Sequence, residues 1–273
     1  LSISTKSMQD SGSLQPSGIM NGLMTGNGVD DMFDLTGKTA LVTGSTQGIG
    51  YAVASCLAEQ GAAVFVHGSK SMEKCEKAAA GIPGSRPVTA DLSEAGSCSE
   101  LYRKTGDVDI LVLNASVQIR KPWNQITPEE FNLQVHVNLL STLELMQLYG
   151  PYMAKKGWGR IVAVGSVQQY KPHPEMGIYA ATKDAQYNLV RNVAKQMAPF
   201  GVTVNNLSPG VIATPRNEAA LSDPEYSKKV MDGIPCGYAG RACDCSGGVL
   251  LLCSEEGRYI TGTDLVIDGG MHL

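Results

Sequence analysis

The chain has no apolar run approaching the ~20 residues that a membrane-crossing helix needs. Val249-Leu-Leu-Leu-Cys253 is typical of its longest. No contiguous apolar stretch lies near its start, which argues against a secretory signal. Charge of either sign is also scarce: the net charge is −4, and residues 1–35, with Lys6 against Asp10, Asp30, Asp31 and Asp34, carry most of it. The body is close to neutral, without the basic stripe that a nucleic-acid partner requires. No CxxC pair occurs among the seven cysteines, and the histidines at 67, 136, 173 and 272 are scattered, so no metal site is expected. An odd number of dispersed thiols suits a reducing compartment and a cytoplasmic location. There is no internal repeat and no second composition regime. With 273 residues and 43% hydrophobic content, one large core and a single domain over 34–273 are expected. Residues 1–33, rich in Ser, Gly, Asn and Met without any period, read as an arm that is flexible or wraps the surface.

What is present is a steady alternation of strand and helix. Short apolar strands are expected at 38–43, 62–67, 86–90, 109–114, 160–165, 201–208 and 264–268. Helical patterns fall between them, including a long one from Pro128 to Lys155 and another starting near Gly177. This order predicts an α/β fold, a doubly wound seven-stranded parallel sheet with helices on both faces and a Rossmann-type site at the carboxyl edge. From about 213 to 238 the pattern weakens, with Pro224 and Pro235 interrupting short helical pieces, as in a lid over a substrate.

The densest chemistry lies in Ser166 to Lys183, between a strand end and a helix. Tyr179 and Lys183 are four residues apart and share a helix face, with the ammonium beside the phenol. A cation there favours the phenolate, so Tyr179 becomes an acid or base for an alcohol or carbonyl oxygen, and Ser166 can offer a hydroxyl to the same oxygen. The bland alternative is a packed ring and a solvated amine.

The turn Gly44-Ser45-Thr46-Gln47-Gly48-Ile49-Gly50 joins the first strand to the first helix. Backbone N–H groups at such a turn can cradle a phosphate, although glycines there can also be plain turn residues. At the end of the second strand, where a dinucleotide fold selects its cofactor, stand Gly68, Ser69 and Lys70 with no acid. Ser69 and Lys70 suit a 2′-phosphate, which favours NADP over NAD. Asp91 is open to two readings, a helix cap or a cofactor contact beside Leu92, and Asn138 is either a satisfied amide in an apolar helix or a functional group.

Together, TGxxxGIG at 43–50, Asn114-Ala115-Ser116, Ser166 and Tyr179-x-x-x-Lys183 resemble the short-chain dehydrogenase/reductase family over residues 34–270. The resemblance implies catalysis by Ser166, Tyr179 and Lys183, with Asn138 holding a water that relays protons. It implies cofactor contacts from the glycine turn, Asp91, Leu92, Asn114, Ala115, Ser116, Tyr179 and Lys183, and from Pro209, Gly210, Ile212 and Thr214 against the nicotinamide. Ser116 departs from the usual glycine. The resemblance also implies a homotetramer built through the long helices and the chain end. The segment from Asn114 to Pro122 and the Ser166-Val-Gln168-Gln169 run look like the gluconate 5-dehydrogenase branch, which makes Arg120 a carboxylate anchor or a solvated loop cation, and Gln168 a hydroxyl contact or plain surface. The expected activity is hydride transfer between nicotinamide and a carbonyl or secondary alcohol, a keto sugar acid such as 5-ketogluconate. A 3-oxoacyl thioester reductase and a non-catalytic dinucleotide-binding protein on the same fold are the alternatives.

Overall fold

A computed structural model describes residues 32–273, with the arm expected over 1–33 lying almost wholly outside the described residues. Strands β1 (Thr39–Val42), β2 (Ala63–Gly68), β3 (Arg86–Thr89), β4 (Ile110–Leu113), β5 (Gly159–Val164), β6 (Val202–Pro209), β7 (Ile212–Ala213), β8 (Gly240–Arg241) and β9 (Asp264–Ile267) appear in that order. Seven of them form one parallel sheet in the order β3-β2-β1-β4-β5-β6-β9, while β7 and β8 make a separate two-stranded ladder that the sequence pattern does not announce.

Helices α1 (Gly48–Glu59), α2 (Met72–Ala80), α3 (Ser97–Thr105), α4 (Pro128–Val135), α5 (Ser141–Lys156), α6 (Gly177–Met197), α7 (Glu218–Leu221), α8 (Pro224–Asp232) and α9 (Ala242–Cys253) connect them. β4 is apolar throughout, and β1, β2 and β5 nearly so, because both faces are covered. Successive side chains point to opposite sides. Ala40 and Val42 enter the layer shared with Val53, Leu57 and Val249, whereas Leu41 enters the layer shared with Leu101, Leu145 and Val190. The same alternation holds for Ile110 and Val112 against Leu111 and Leu113. Burying each such Leu, Ile or Val fully contributes about 1.5–3 kcal/mol, so the sheet is fixed from two sides.

Strand order reverses between β1 and β4. A crevice therefore opens at their carboxyl ends, where the turn after β1 and the Asn114 segment after β4 diverge.

The long helix expected from Pro128 to Lys155 is interrupted. A π-helical turn spans His136–Leu140 between α4 and α5. Ser141 Oγ donates to Val137 O at 2.6 Å and Thr142 Oγ1 donates to Asn138 O at 3.0 Å, so hydroxyls compete for the ladder carbonyls where it widens. Such single π turns often mark functional sites, and this one carries Asn138.

Candidate active site

The glycine turn is shaped by close approach. Gly44 has φ +64°, and a Cβ there would lie 3.0 Å from Ala115 Cα; Gly48 has φ +60°. A Cβ on Gly50 would sit 2.5 Å from Asn114 Nδ2. Asn114 staples this turn to β4, donating through Nδ2 to Thr43 O and Gly44 O, both at 2.9 Å.

His67, given no role by sequence reasoning, ties three strand ends together. Its Nδ1 accepts from Gly44 N at 3.1 Å, which assigns the ring proton to Nε2, 3.0 Å from Ala90 O. Burial pushes its pKa down to about 4, so the ring stays neutral and the tautomer is fixed.

Ser45 differs from expectation. Its hydroxyl is fully buried, donating to Val42 O at 2.6 Å and accepting from His67 N at 2.9 Å, and it holds the turn from within rather than facing a cofactor. The other residues expected to contact a cofactor line two adjoining cavities of about 300 and 460 Å3. The larger is bordered by Thr46, Ser69, Lys70, Asp91, Leu92 and Ala115. The smaller holds Gln47, Gly48, Ile49, Gly50, Pro209, Gly210, Ile212 and Thr214 together with Ser166, Tyr179 and Lys183. Gly44, Gln47, Asn114, Ser116 and Arg216 touch both. A dinucleotide fits this arrangement, with the bare glycine turn and the N-terminus of α1 between a nucleoside-sized cavity and a reaction cavity. Asp91 caps no helix, since α3 starts at Ser97 with Gly96 as its N-cap; its Oδ1 accepts from Ser93 N at 3.1 Å within a turn, and Oδ2 lies 3.3 Å from Lys70 Nζ at the edge of the larger cavity.

The inner wall of the smaller cavity is buried. Ser166 follows β5 and is 8% exposed; Tyr179 and Lys183, one turn apart at the start of α6, are 5% and 1% exposed. Lys183 Nζ donates to Val164 O at 2.6 Å and Gln186 Oε1 at 3.0 Å. Gln186 Nε2 reaches Thr142 Oγ1 at 3.2 Å, which in turn donates to Asn138 O. This chain runs from the lysine to the π turn. Gln186 and Thr142 had no motif to reveal them, although Lys183 and Gln186 lie three apart on one helix face.

Lys183 has its pKa lowered to about 7, first by burial and then by the nearby Arg216. Burial raises Tyr179, and the groups that pull it back are Arg216, Ser166 and Ser116. The Lys183 ammonium, 5.8 Å from the Tyr179 ring centroid, is drawn toward Val164 and Gln186, and Arg216 is a second cation that favours the phenolate.

Asn138 is fully buried and does not reach either cavity. Its Oδ1 accepts from Val117 N at 2.8 Å, and its Nδ2 donates to Val117 O at 2.9 Å and Thr182 Oγ1 at 3.0 Å. The satisfied-amide reading describes it, with the π turn pinned to the Val117 segment. Arg120 and Gln168 line the smaller cavity, yet both are partly engaged: Arg120 Nη2 lies 3.0 Å from Glu175 Oε2, and Gln168 Oε1 accepts from His173 N at 2.7 Å. No helix among the described residues is long and apolar enough to cross a membrane.

Comparison with known proteins agrees with this geometry. A family profile described as enoyl-(acyl carrier protein) reductase matches residues 44–272. Dehydrogenase/reductase SDR family member 4 of Sus scrofa is 36% identical over 259 residues, covering 90% of this chain and 91% of the relative. Among solved structures, a 3-oxoacyl (acyl-carrier-protein) reductase of Agrobacterium tumefaciens C58 with NADP bound is 38% identical with a TM-score of 0.83, covering 89% of this chain and 97% of that one. A gluconate 5-dehydrogenase of Burkholderia cenocepacia J2315 in complex with NADP and tartrate is 31% identical with a TM-score of 0.81, covering 88% and 97%. With the glycine turn, the Ser166–Tyr179–Lys183 wall and these likenesses in place, the chain belongs to the short-chain dehydrogenase/reductase family of NAD(P)-dependent oxidoreductases.

Proposed function

We propose that this protein uses NADP(H) to interconvert a keto sugar acid, such as 5-ketogluconate, and the corresponding hydroxy acid. The observation that carries the reading is the convergence of Ser166, Tyr179 and Lys183 on one cavity that Gln118, Gln168, Arg120 and Arg216 also line. A bound nicotinamide supplies or accepts the hydride. In the reducing direction Tyr179 gives its phenolic proton to the substrate oxygen, Ser166 donates a hydrogen bond to that oxygen, and the cations Lys183 and Arg216 stabilise the phenolate left behind. In the oxidising direction the same phenolate takes the alcohol proton.

NADP is favoured over NAD because Ser69 and Lys70 border the larger cavity and no acid stands at the end of β2. Lys70 is 81% exposed at its side chain, so its pairing with Asp91 is weak enough to yield to a phosphate. The segment 213–238 forms the substrate cover: Leu221, Tyr226 and Val230 line the cavity from outside the sheet. Exposed Phe131, Leu133 and Leu140 along α4 and the π turn fit a homotetramer built through these helices, which light scattering tests by showing four chains rather than one.

A 3-oxoacyl thioester would call for a basic patch for its carrier, which the near-neutral body does not offer. Steady-state kinetics with 5-ketogluconate, related keto sugar acids and an acetoacetyl thioester, each with NADPH and NADH, test the reading. Sugar-acid turnover with NADPH is expected. Thioester turnover without sugar-acid activity would overturn it.

A further inference from the structure

Four basic side chains stand near the two cavities, and they differ in what already satisfies them. Lys70 lies against Asp91 in the larger cavity, and Lys183 is buried against Val164 and Gln186. Arg120 is neutralised by Glu175 at 3.0 Å and stacks toward Tyr226 at 5.6 Å from its ring centroid. Arg216 has no carboxylate within ion-pair distance among the described residues. It reaches across from the segment after β7 to the segment after β4, where Nη1 donates to Ser116 Oγ and Nη2 to Ser116 O, both at 2.9 Å. Two donors of the guanidinium fix its position, and the rest stay available. Arg216 lines both cavities, at the point where the nucleoside part of the cleft meets the reaction part.

Ser116 matters to this geometry in its own right. A glycine there retains the backbone carbonyl but has no hydroxyl, so the second contact to Arg216 exists only because a serine stands at this position. The departure at 116 and the arginine a hundred residues later make one structural unit.

Resting on the keto sugar acid reading above, we infer that Arg216 binds the substrate carboxylate and sets selectivity for acids, with Ser116 as the residue that positions it. An unpaired guanidinium beside neutral partners offers a carboxylate charge-assisted hydrogen bonds without first breaking an ion pair, which Arg120 would have to do. It also lines the reaction cavity together with Ser166 and Tyr179, where its charge favours the phenolate. One cation therefore orients the acid and favours the phenolate that accepts its proton.

The test compares kcat/KM for 5-ketogluconate and for fructose, a neutral keto sugar, with NADPH saturating, in the wild type and in Arg216→Gln, Arg216→Lys, Arg120→Gln, Ser116→Gly and Ser116→Thr. The acid-to-neutral ratio is expected to fall about tenfold or more in Arg216→Gln, mainly through KM for the acid, and to fall less in Arg216→Lys, which keeps charge without the fork. Arg120→Gln should change the ratio by less than about threefold. Ser116→Gly should raise KM for the acid, and Ser116→Thr, which restores a hydroxyl, should recover it. A wild type without any preference for the acid overturns the sugar-acid reading and this inference together. A wild-type preference that survives Arg216→Gln but is lost in Arg120→Gln overturns this inference alone. Equal losses on acid and neutral sugar with weakened NADPH binding by fluorescence also overturn it, because Arg216 would then be holding the cofactor.

Discussion

The two sides of the reaction cavity are built differently. On the wall formed by β5, α6 and the π turn, Ser166, Tyr179, Lys183 and Asn138 are at most 8% exposed. Lys183 and Asn138 there belong to one hydrogen-bonded network through Gln186, Thr142 and Thr182. On the rim Arg120 and Arg216 are exposed, as is Lys70 at the adjoining larger cavity, and α8 buries no residue at all. A buried polar network is costly to leave incomplete, so the wall tolerates little change and fixes the reaction class. Rim cations held by surface pairs are each worth little to stability. They can be exchanged at little cost in stability, and on the proposed reading substrate and cofactor preference are set there.

Four perturbations probe this contrast, beginning with the largest effect expected. Tyr179→Phe removes the proton donor and little volume, so turnover should drop by roughly 10²–10⁴ while NADPH binding, followed by fluorescence titration, stays within about threefold. Lys183→Ala should lower both turnover and NADPH affinity, which separates a wall residue that serves two ligands from one that serves the proton alone. Asn138→Ala strands the half-buried N–H and C=O of Val117, and a loss of about 1–3 kcal/mol in urea unfolding is expected. If Asn138→Ala unfolds at the wild-type midpoint, the wall is not a network. At the rim, Lys70→Ala should narrow the NADP-over-NAD preference by only a few-fold, on the order of 1 kcal/mol, in paired cofactor titrations.

The glycine turn supplies a pH test of the buried side. His67 has its pKa depressed from 6.5 to about 4, so the folded state binds fewer protons than the unfolded chain between these values. The stability it contributes is complete above pH 6.5 and is lost as pH falls toward 4, on the order of 3 kcal/mol over the window. Urea midpoints measured across this range should fall with pH more steeply in the wild type than in His67→Asn.

Legibility in the sequence followed the same division. The sheet could be read because residues 110–113 and 161–164 are apolar without interruption, as strands covered on both faces must be. Tyr179 and Lys183 could be read because a helix converts a spacing of four into a shared face. The π turn could not be read, since its cause is a set of hydroxyl contacts from Ser141 and Thr142 together with the clamp on Val117, and none of these shows in apolar periodicity. Ser45 looked like a ligand contact because it lies within the glycine turn, yet the direction of its side chain depends on His67 from the next strand. Arg216 was missed for the plainest reason: its partner Ser116 is a hundred residues away, and only the fold brings the segments after β4 and β7 together.

The most direct test of the division between wall and rim is hydrogen exchange on the NADP complex, with and without saturating 5-ketogluconate. Amides of 159–164 and 177–197 should be slow in both states, and protection gained on adding the keto acid should be confined to 116–120 and 214–232, where few apolar contacts are buried. Protection gained across the Ser166–Lys183 wall, with the rim unchanged, would contradict a preformed reaction wall and a substrate-selecting rim.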